Sequence, residues 1–596
     1  MCGIFGGVHQ APVVDALLAG LSRLEYRGYD SAGIATLDPD LCLKKVEGPV
    51  RRLDDLCRQM PPEGVVGIAH TRWATHGEPS AVNAHPHRAG KVAVIHNGII
   101  ENHSHLRAEL EDFGAVFESR TDTEVIPHLV ESYRAAGATT VEAVKYSMGR
   151  LEGRYAFAVL CEDEPDQIVA ARQGSPLVVG RSAEGSWLSS DDAALNDIAD
   201  EVAVLEDGDV VTLRKDGIDF GKVEGDVYPR QFQKLEKQIW QEPVGDDDDY
   251  TSREMLEQPE ALARTLRELR RTKLDIDAKA ITRVHSIACG SSHYAACLAA
   301  PWFEQLARLP VQHSIASECR EMALHDPNSS LNILVSQSGE TADTLSAQAV
   351  CKAAEHQTLA VVNIERSQMA READHVWLTR AGREFGVAAT KTFTCQTAAL
   401  ALLAVRLARK RKCVPAKTIT EAANALSKLP EVIKDIQPLE PHIEALAKRF
   451  AKAQSALFLG RGGAFPAAAE GALKLKELSY VHAEAYPAGE LKHGPIAIIS
   501  EGIPVVISAP SGAHWRRSIA NMQEVKARGA WTILITDEGV TDTDGADEVI
   551  ILPKLHPLVA PIAQVLVMQM LAYHTAKALD LDVDRPRNLA KSVTVE

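Results

Sequence analysis

The second residue of the chain, Cys2, can supply both a nucleophile and a base. Once Met1 is removed, Cys2 carries a thiol and a free α-amine on the same carbon atom. The α-amine titrates close to neutrality, with a reference pKa of about 7.7–8.0, so it can take the proton of the thiol. A terminal cysteine without a role is the alternative, and for an isolated cysteine it is the more common case. The residues that accompany Cys2 therefore decide between the two interpretations.

Polar residues that could serve such a nucleophile lie between positions 72 and 122. Arg72 could pair with a substrate carboxylate, and Asp122 could pair with a substrate ammonium group. The side chain of Asn97 and the backbone N–H of Gly98 could form an oxyanion hole for a tetrahedral intermediate. Each also has an ordinary interpretation, because Asn-Gly is a common hairpin turn and a single Arg or Asp is usually a surface charge.

Two serine-rich loops in the second half of the chain could hold a phosphate group. Ser291 and Ser292 follow one predicted strand, and residues 336–341, Ser-Gln-Ser-Gly-Glu-Thr, follow the next. Both loops offer hydroxyls and N–H groups at a helix N-terminus, where an anion can bind without basic side chains. A simple helix cap is the alternative for either loop alone, but two such loops one strand apart favour an anion site. Neither a Walker A loop nor a Gly-x-Gly-x-x-Gly pattern is present, so nucleotide binding is not indicated.

A third group of residues could move protons or form a covalent bond. Glu470, Lys474 and Glu477 are spaced at i, i+4 and i+7, which places them on one face of a helix. His493 follows them in the chain, and Lys591 lies in the last segment. A solvated helix stripe, a structural histidine and a frayed tail are the alternatives. Residue types and spacing alone favour these alternatives.

The elements that must position the first group are short strands and one helix. Apolar residues at helical spacing predict a helix over residues 13–25. Short apolar runs predict strands at residues 32–37, 65–69, 92–95, 153–160 and 177–180. Since polar clusters follow several of these strands, a rigid sheet would hold them in fixed positions.

The second half of the chain is duplicated. Predicted strands at residues 284–288, 331–335 and 359–362 recur at residues 456–459, 504–507 and 532–535. Helical segments alternate with these strands, so each copy is predicted to be a βαβαβ unit with a parallel sheet. Ligands in such doubly wound folds bind at the carboxyl ends of the strands.

The composition excludes several classes of protein. A chain of 596 residues is too long for one hydrophobic core and should form two to four domains. Its net charge of −17 argues against nucleic acids and anionic membranes as partners. The ten cysteines include no Cys-x-x-Cys pair, so neither a zinc ribbon nor a disulfide framework is indicated, and we expect no metal and no cofactor.

The compartment follows from the same features. A Cys2 thiolate requires a reducing environment, and the N-terminus lacks the basic and apolar segments of a secretory signal. The most apolar late stretch, residues 558–573, is interrupted by Pro561, Gln564 and Gln569 and is predicted to be a buried helix. We therefore expect a soluble, cytoplasmic protein.

The motifs of the first half, taken together, resemble the class II glutamine amidotransferase domain over residues 2–225. They are Cys-Gly-Ile at 2–4, Tyr-Arg-Gly-Tyr-Asp-Ser at 26–31, His-Thr-Arg-Trp-Ala-Thr-His-Gly at 70–77, His-Asn-Gly at 96–98 and Thr-Asp-Thr-Glu at 121–124. The resemblance implies an N-terminal-nucleophile hydrolase with an αββα arrangement that converts glutamine to glutamate and ammonia. It implies that Cys2 is the nucleophile and that Asn97 and Gly98 form the oxyanion hole. The glutamine-binding residues that it implies are Arg72, Trp73, Thr75, His76, Gly77 and Asp122, with Trp73 also gating ammonia.

The motifs of the second half resemble paired sugar-isomerase domains. They are Cys-Gly-Ser-Ser at 289–292, Ser-Gln-Ser-Gly-Glu-Thr-Ala-Asp-Thr at 336–344, Gly-Val-Ala-Ala-Thr-Lys at 386–391, Glu-Leu-Lys-His-Gly-Pro at 490–495 and Asn-Leu-Ala-Lys-Ser-Val-Thr-Val-Glu at 588–596. Together with the first half, they resemble the family of glucosamine-6-phosphate synthases, the isomerising glutamine–fructose-6-phosphate aminotransferases. The fold that follows is α/β and α+β multidomain, with the αββα domain followed by two tandem doubly wound subdomains.

This resemblance implies a reaction and a role for each remaining candidate. Fructose 6-phosphate is aminated and isomerised to glucosamine 6-phosphate, with ammonia channelled between the halves. His493 assists ring opening, Lys591 forms a Schiff base with C2, and Glu477 moves a proton from C1 to C2. We expect the tail to bring Lys591 close to the Lys474 cation, with Leu589 and Val593 as apolar anchors. The implied sugar-phosphate-binding residues are Gly290, Ser291, Ser292, Ser336, Gln337, Ser338, Thr341, Val387 and Lys474.

Four positions depart from the family pattern. Ser291 replaces a Thr, Ala389 a Ser, Cys319 an aromatic residue and Arg253 a Lys. These changes concern affinity and packing between domains, not the reaction. The resemblance also implies a homodimer.

The predicted domain limits follow the motifs. They are 1–225 for the glutaminase domain, 226–250 for an acidic, solvated linker, 251–425 and 426–580 for the two sugar-isomerase subdomains, and 581–596 for the tail.

Two other functions are compatible with parts of the pattern. Another glutaminase-coupled enzyme, such as a phosphoribosyl-amine synthase, would need a diphosphate-binding loop with acidic residues after a strand. A non-catalytic sugar-phosphate sensor would have no need for Cys2, Glu477 and Lys591 together.

Overall fold

A computed structural model of the chain describes residues 2–225, 227–235, 237, 249–321 and 329–594. The chain divides into two compact units, Met1–Glu242 with Ser592–Glu596, and Pro243–Lys591. Of the acidic run in the predicted linker, residues 246–248 lie outside the described residues. Asp249 is described and is not solvated: it is buried and accepts a hydrogen bond from the N–H of Ser252 as a helix cap.

Over the described residues, the first unit contains two antiparallel sheets, one of eight strands and one of six. In spatial order the larger sheet consists of β14 (Gln233–Lys234), β11 (Glu201–Val204), β9 (Val178–Arg181), β10 (Gly185–Ser189), β1 (Gly3–His9), β4 (Val66–Arg72), β2 (Ser31–Leu37) and β3 (Leu41–Glu47). The smaller sheet consists of β13 (Gly217–Lys222), β12 (Asp209–Arg214), β8 (Gln167–Gln173), β7 (Gly153–Cys161), β6 (Val92–Ile100) and β5 (His87–Ala89).

Helices cover the outer faces of both sheets. They are α1 (Val14–Leu24), α2 (Val50–Gln59), α3 (His103–Asp112), α4 (Val125–Ala135) and α5 (Thr140–Met148). The alternation of side chains along β1 shows how the layers form: Ile4 packs between the two sheets, whereas Phe5 packs beneath α1. The layers are therefore α, β, β and α, which confirms the predicted arrangement.

Strand β6 is longer than its apolar run indicates. It continues from Val92 through Asn97 and Gly98 to Ile100, and Asn97 and Gly98 pair with Ala156 and Tyr155 of β7. The hairpin-turn interpretation of Asn-Gly is therefore wrong. These two residues lie inside a paired strand, where their positions are fixed.

The second unit contains two parallel sheets of five described strands each, as the repeat predicts. The first has the order β16 (Val311–Ile315), β15 (Arg283–Ala288), β17 (Ser330–Ser336), β18 (Thr358–Val362) and β19 (His375–Leu378). The second has the order β21 (His482–Pro487), β20 (Ser455–Gly460), β22 (Pro504–Ser508), β23 (Trp531–Asp537) and β24 (Glu548–Leu552). The helices are α6 (Tyr250–Leu256), α7 (Gln258–Arg271), α8 (Gly290–Trp302), α9 (Ala342–Ala353), α10 (Gln368–Glu372), α11 (Lys391–Arg411), α12 (Ala416–Ile436), α13 (Glu440–Phe450), α14 (Ala464–Ser479), α15 (Trp515–Lys526) and α16 (Ala560–Ala578).

The two halves of the second unit share one core. Side chains of α11 and α14, such as Phe393 and Leu475, belong to the same buried cluster. The limit placed at residues 425 and 426 falls inside α12, whose Leu426, Leu429 and Ile433 form one buried face. The halves are repeats, but they are packed as one body.

The late apolar stretch forms the buried helix α16, as predicted. Among the described helices, none combines the length and the apolar character needed to cross a membrane.

Candidate functional site

Cys2 lies at the start of β1, beside the end of β4. Because β1 pairs with β4 so that Gly3 faces Thr71, the thiol is brought to the residues that follow Arg72. The N–H of Trp73 donates to the Cys2 sulfur at 3.2 Å, and the Asn97 amide nitrogen donates to the Cys2 carbonyl oxygen at 2.9 Å. The sheet therefore joins Cys2, Trp73 and Asn97, which are far apart in the sequence.

The Cys2 thiol lies in an environment that requires a base. Burial raises the pKa of the thiol, and the N–H of Trp73 and the positive charge of Arg72 lower it. The negative charge of Asp122 raises the pKa of the same thiol. Because a thiol with a raised pKa is protonated at neutral pH, a nearby amine would be needed to form the thiolate.

Glycine is required at position 98. Gly98 has φ of +117°, and a Cβ built there would lie 2.0 Å from the Arg154 carbonyl oxygen. Any other residue would push β6 away from β7 and displace Asn97 with it. The strand thus fixes both residues of the predicted oxyanion hole, and Asn97 contacts Cys2.

Arg72 organises the loop that follows β4. Its guanidinium donates to the carbonyl oxygens of His76, Gly77 and Glu78, with the Gly77 contact at 2.9 Å. The Asp30 carboxylate accepts the N–H of Ala74 at 2.8 Å and holds the other side of the loop. Arg72 therefore has two roles. It shapes the segment that carries the predicted glutamine-binding residues, and it places a positive charge beside that segment.

The remaining predicted glutamine-binding residues differ in exposure. Asp122 is buried and accepts the N–H of Ile100 at 2.9 Å, and the His76 ring nitrogen lies 3.9 Å from its carboxylate. Trp73 is half-buried and packs edge-on against Tyr29, whereas Thr75 is exposed. The structure thus brings Trp73, Asp122 and His76 to the same end of the sheets as Cys2.

In the second unit, the two serine-rich loops are neighbours. Strands β15 and β17 are adjacent and parallel, so their carboxyl ends place residues 290–292 beside residues 336–341. The Ser336 hydroxyl accepts the N–H of Gly339 at 3.0 Å and lies 3.0 Å from the Thr341 hydroxyl. Ser292, Gln337 and Ser338 are half-buried at the same edge. The loop is therefore already folded into a compact turn at a helix N-terminus.

Glu470 and Lys474 of the charged stripe of α14 are buried and Glu477 is 20% exposed, so the interpretation as a solvated stripe is wrong. Lys474 is 1% exposed, forms an ion pair with Glu477, and its ammonium lies 3.6 Å from a Glu470 carboxyl oxygen. Burial raises the pKa of Glu470 to about 8. Burial alone would lower the pKa of Lys474, but the neighbouring carboxylates raise it. The three side chains form one proton-bearing cluster.

Ser291 connects this cluster to the phosphate loops. Its hydroxyl donates to a Glu470 carboxylate oxygen at 3.0 Å. The departure from Thr therefore keeps the hydroxyl that makes this contact. Cys319, another departure, is fully buried in a small apolar cluster with Leu334 and Val362.

Lys591 has a different neighbour from the one we expected. Its ammonium forms an ion pair with Glu384 and donates to the Gly386 carbonyl oxygen at 2.7 Å. Burial alone would raise the pKa of Glu384, but Lys591 and Thr392 lower it to about 2. The neighbour of Lys591 is thus a carboxylate and not the predicted Lys474 cation. Glu384 also contributes to raising the pKa of Lys474, so it links the two clusters electrostatically.

Of the two predicted anchors, Leu589 is half-buried and Val593 is not an anchor, and other residues also hold the tail. Val593 is 50% exposed and does not anchor the tail, whereas Val583 is buried. The carbonyl oxygen of Asp584 accepts the N–H of Val387 at 3.1 Å, and the N–H of Arg587 donates to the Tyr480 hydroxyl at 2.7 Å. The segment of the tail that precedes Lys591 is therefore held in place by its own hydrogen bonds.

His493 is the predicted site residue that the structure leaves apart. It ends a short 3₁₀ segment and is exposed, and among the described residues no hydrogen bond or ion pair joins it to Glu477 or Lys591.

Sequence reasoning missed three buried groups. Glu384 and Glu254 lie beside Lys591, and His70 lies beside Asn97. Glu384 stands two residues before the Gly-Val-Ala-Ala-Thr-Lys motif, and His70 opens the His-Thr-Arg-Trp motif, so their places in these motifs were the available signal.

Two models of known protein families match the chain. The model described as glutamine amidotransferase domain matches residues 70–197, and the model described as SIS domain matches residues 279–406 and 449–578. The matches fall on the antiparallel unit and on the two parallel sheets.

The chain is also similar over its full length to named relatives. It is 45% identical to the glutamine–fructose-6-phosphate aminotransferase [isomerizing] of Brucella abortus biovar 1 (strain 9-941), and the alignment of 607 residues covers 100% of both chains. It is 44% identical to the protein of the same name from Zymomonas mobilis subsp. mobilis, again over 100% of both chains. A solved structure of the C-terminal domain of glucosamine-fructose-6-phosphate aminotransferase from Francisella tularensis is 36% identical, with a TM-score of 0.54, and covers 56% of this chain and 98% of that one.

Proposed function

The chain belongs to the family of isomerising glutamine–fructose-6-phosphate aminotransferases, and on that premise we propose that it transfers the amide nitrogen of glutamine to fructose 6-phosphate, giving glucosamine 6-phosphate and glutamate. The observation that carries the proposal is the full-length identity of 45%, which includes both the amidotransferase part and the two SIS parts. The chemistry of the two clusters supports it.

The first half-reaction is glutamine hydrolysis in the first unit. The α-amine of Cys2, freed by removal of Met1, takes the thiol proton, and the thiolate attacks the amide carbon of glutamine. Asn97 and the N–H of Gly98 stabilise the oxyanion, the α-ammonium group gives its proton to the amide nitrogen, ammonia leaves, and water hydrolyses the thioester to glutamate. Arg72 and Asp122 bind the carboxylate and the ammonium of the substrate. Trp73, Thr75, His76 and Gly77 form the loop around it.

The second half-reaction takes place in the second unit. His493 assists ring opening of the sugar, and the Lys591 amine condenses with the C2 carbonyl, releasing water and forming a Schiff base. Ammonia displaces Lys591 from C2. Glu477 then removes a proton from C1 and delivers one to C2, which yields the 2-amino aldose.

The phosphate group is bound by hydroxyls and N–H groups at helix N-termini. Ser336 supports this role because it already orders the N–H of Gly339, and the half-buried Ser292, Gln337 and Ser338 lie beside it. Gly290, Ser291, Thr341, Val387 and Lys474 complete the proposed sugar-phosphate site.

Transfer, assembly and location belong to the same proposal. Ammonia passes between the two halves through an internal channel that Trp73 gates. The enzyme acts as a homodimer, which light scattering can test. A cytoplasmic location agrees with the reactive thiol of Cys2 and with ten cysteines that are all free.

One assay tests the function against its alternatives. The protein is supplied with glutamine and fructose 6-phosphate, and glucosamine 6-phosphate and glutamate are measured. Equal amounts of the two products support the proposal. Glutamate without amino sugar would indicate a different glutaminase-coupled synthase, and neither product, with fructose 6-phosphate still bound, would indicate a sensor.

A further inference from the structure

We propose that His70 is a positioning residue that sets the orientation of the Asn97 side-chain amide, so that the amide nitrogen and not the oxygen faces Cys2. The inference rests on the proposed function, because it assigns to His70 the task of preparing the oxyanion hole of glutamine hydrolysis. His70 is in β4 and Asn97 is in β6, so two different sheets meet at this contact.

The proton on His70 is located by its first partner. The His70 Nε2 atom lies 2.8 Å from the backbone carbonyl oxygen of His96. A carbonyl oxygen only accepts hydrogen bonds, so Nε2 carries the proton. The same nitrogen lies 3.2 Å from the side chain of Asn97, and the Asn97 atom that faces an N–H group must be the amide oxygen.

The other end of the amide is thereby determined. With its oxygen toward His70, Asn97 directs its nitrogen to the Cys2 carbonyl oxygen at 2.9 Å. The reverse orientation would place an NH₂ group against the N–H of His70 and an oxygen against the Cys2 carbonyl. Two donors and two acceptors would then face each other in a buried site, and both hydrogen bonds would be lost. The second hydrogen of the amide nitrogen is available for the substrate oxyanion.

The His70 ring is itself held by buried neighbours. His85 Nδ1 lies 2.9 and 3.0 Å from the two ring nitrogens of His70, and His85 Nε2 lies 2.9 Å from the Thr123 hydroxyl. His70 and His85 are both buried. Burial lowers the pKa of His70 to about 3, so the ring is neutral and carries a single N–H at neutral pH. The ring can therefore neither rotate freely nor gain a second proton that would change the pattern.

The kinetic consequence is specific to the transition state. An oxyanion donor interacts with charge that develops only as the thiolate attacks, so a misdirected Asn97 lowers kcat and leaves KM for glutamine unchanged. Loss of one oxyanion donor lowers kcat by roughly 10²–10³-fold. We expect a comparable loss when His70 can no longer hold the amide.

The test compares two buried histidines of the same cluster. His70→Phe removes the N–H that holds Asn97, whereas His87→Phe removes a ring whose partner is the Thr121 hydroxyl at 3.1 Å. We expect His70→Phe to lower kcat for glutamate release on the order of 10²-fold with KM unchanged. His87→Phe should leave kcat close to that of the wild type, and His70→Gln, which keeps an N–H donor, should recover part of the loss. Equal losses in the two Phe variants, or a rise in KM alone, would overturn the inference.

A second comparison separates positioning from a general effect on folding. In an Asn97→Ala background the amide to be positioned is absent, so adding His70→Phe should lower kcat no further. An additive loss would show that His70 acts by another route and would overturn the inference. Glutamate release by the wild-type protein separates a failure of the proposed function from a failure of the role assigned to His70. If the wild-type protein releases no glutamate, the proposed function fails. If the wild-type protein releases glutamate and His70→Phe has the same kcat, only the inference about His70 fails.

Discussion

The ammonium group of Lys591 forms an ion pair with the carboxylate of Glu384, and the two side chains are 3% and 0% exposed. Removing one partner of a buried ion pair leaves the other charge without compensation and costs about 3–5 kcal/mol. We expect Glu384→Gln to lower the melting temperature of the second unit and to release Lys591 from its fixed position. Differential scanning calorimetry measures the first effect.

Glu365→Gln is the matched control for this prediction. Glu365 pairs with Arg380 at 2.9 Å, and both side chains are exposed, so the solvent can compensate the charge that is left behind. The melting temperature should therefore change much less than in Glu384→Gln. Equal shifts in the two variants would mean that the Lys591 pair contributes no more than a surface contact.

Cys2→Ala should abolish glutamine hydrolysis without affecting the sugar site. Cys2 lies in the first compact unit, and the phosphate loops and Lys591 lie in the second. Glutamate release should fall to background, whereas isothermal titration should give the same dissociation constant for fructose 6-phosphate as the wild type. Loss of sugar-phosphate binding in a folded Cys2→Ala protein would contradict the separation of the two sites.

The pattern of the sequence predicted the strands well but not the burial of charges. The strands of both repeats and the paired serine-rich loops follow from local apolar runs, because a parallel sheet needs them. In contrast, the spacing of Glu470, Lys474 and Glu477 predicts a common helix face and cannot show whether that face meets water. The face is buried because it meets α8, whose Ser291 contacts Glu470 from 179 positions earlier in the chain, and that packing has no local signal.

The sequence pattern could not predict contacts between residues that are far apart in the chain. Glu384 and Lys591 are separated by 207 positions, and no periodicity connects a loop with a tail. Asn97 was identified from its type, but its place inside β6 depends on pairing with β7, which local turn preference contradicts. Here tertiary pairing overrode the local preference.

The phosphate prediction concerns the loop after β17. The double change Ser336→Ala and Ser338→Ala removes two hydroxyls at the helix N-terminus, and two lost hydrogen bonds to a charged group cost about 3–6 kcal/mol. Isothermal titration with fructose 6-phosphate should therefore show a much larger dissociation constant.

Ser508 provides the matched control, because it ends β22 at the position in the second repeat that corresponds to Ser336. Its hydroxyl donates to Gln564 at 2.5 Å and is buried, so it is occupied within the protein. Ser508→Ala should leave the dissociation constant unchanged. An unchanged constant in the double variant as well would place the phosphate elsewhere.

The raised pKa of Glu470 predicts a pH dependence of stability. In the folded protein burial holds the Glu470 pKa at about 8, whereas an unfolded Glu has a pKa of about 4.3. Between these values the folded state keeps a proton that the unfolded state releases. The contribution of Glu470 is therefore fully present below the lower value and is lost as the pH rises toward 8.

Glu470→Gln removes this dependence because the amide does not titrate and its oxygen can still accept the Ser291 hydroxyl. The melting temperature of the variant relative to the wild type should rise between pH 5 and pH 8 and level off above pH 8. Glu444→Gln, which replaces an exposed carboxylate beside Lys448, is the control and should show no such rise. A constant difference for Glu470→Gln across this range would contradict a proton bound at Glu470.

The last prediction identifies the lysine that forms the Schiff base. Borohydride reduction in the presence of fructose 6-phosphate, followed by peptide mapping, should place the sugar on Lys591. The alternatives are Lys474, which is buried beside the carboxyl groups of Glu470 and Glu477, and Lys492, which is exposed and paired with Glu524 at 2.7 Å. Lys591→Arg keeps a cation for Glu384 but cannot form an imine, so it should bind fructose 6-phosphate and yield no reduced adduct. A label on Lys474 or Lys492 in the wild type would show that the tail covers the site without taking part in the reaction.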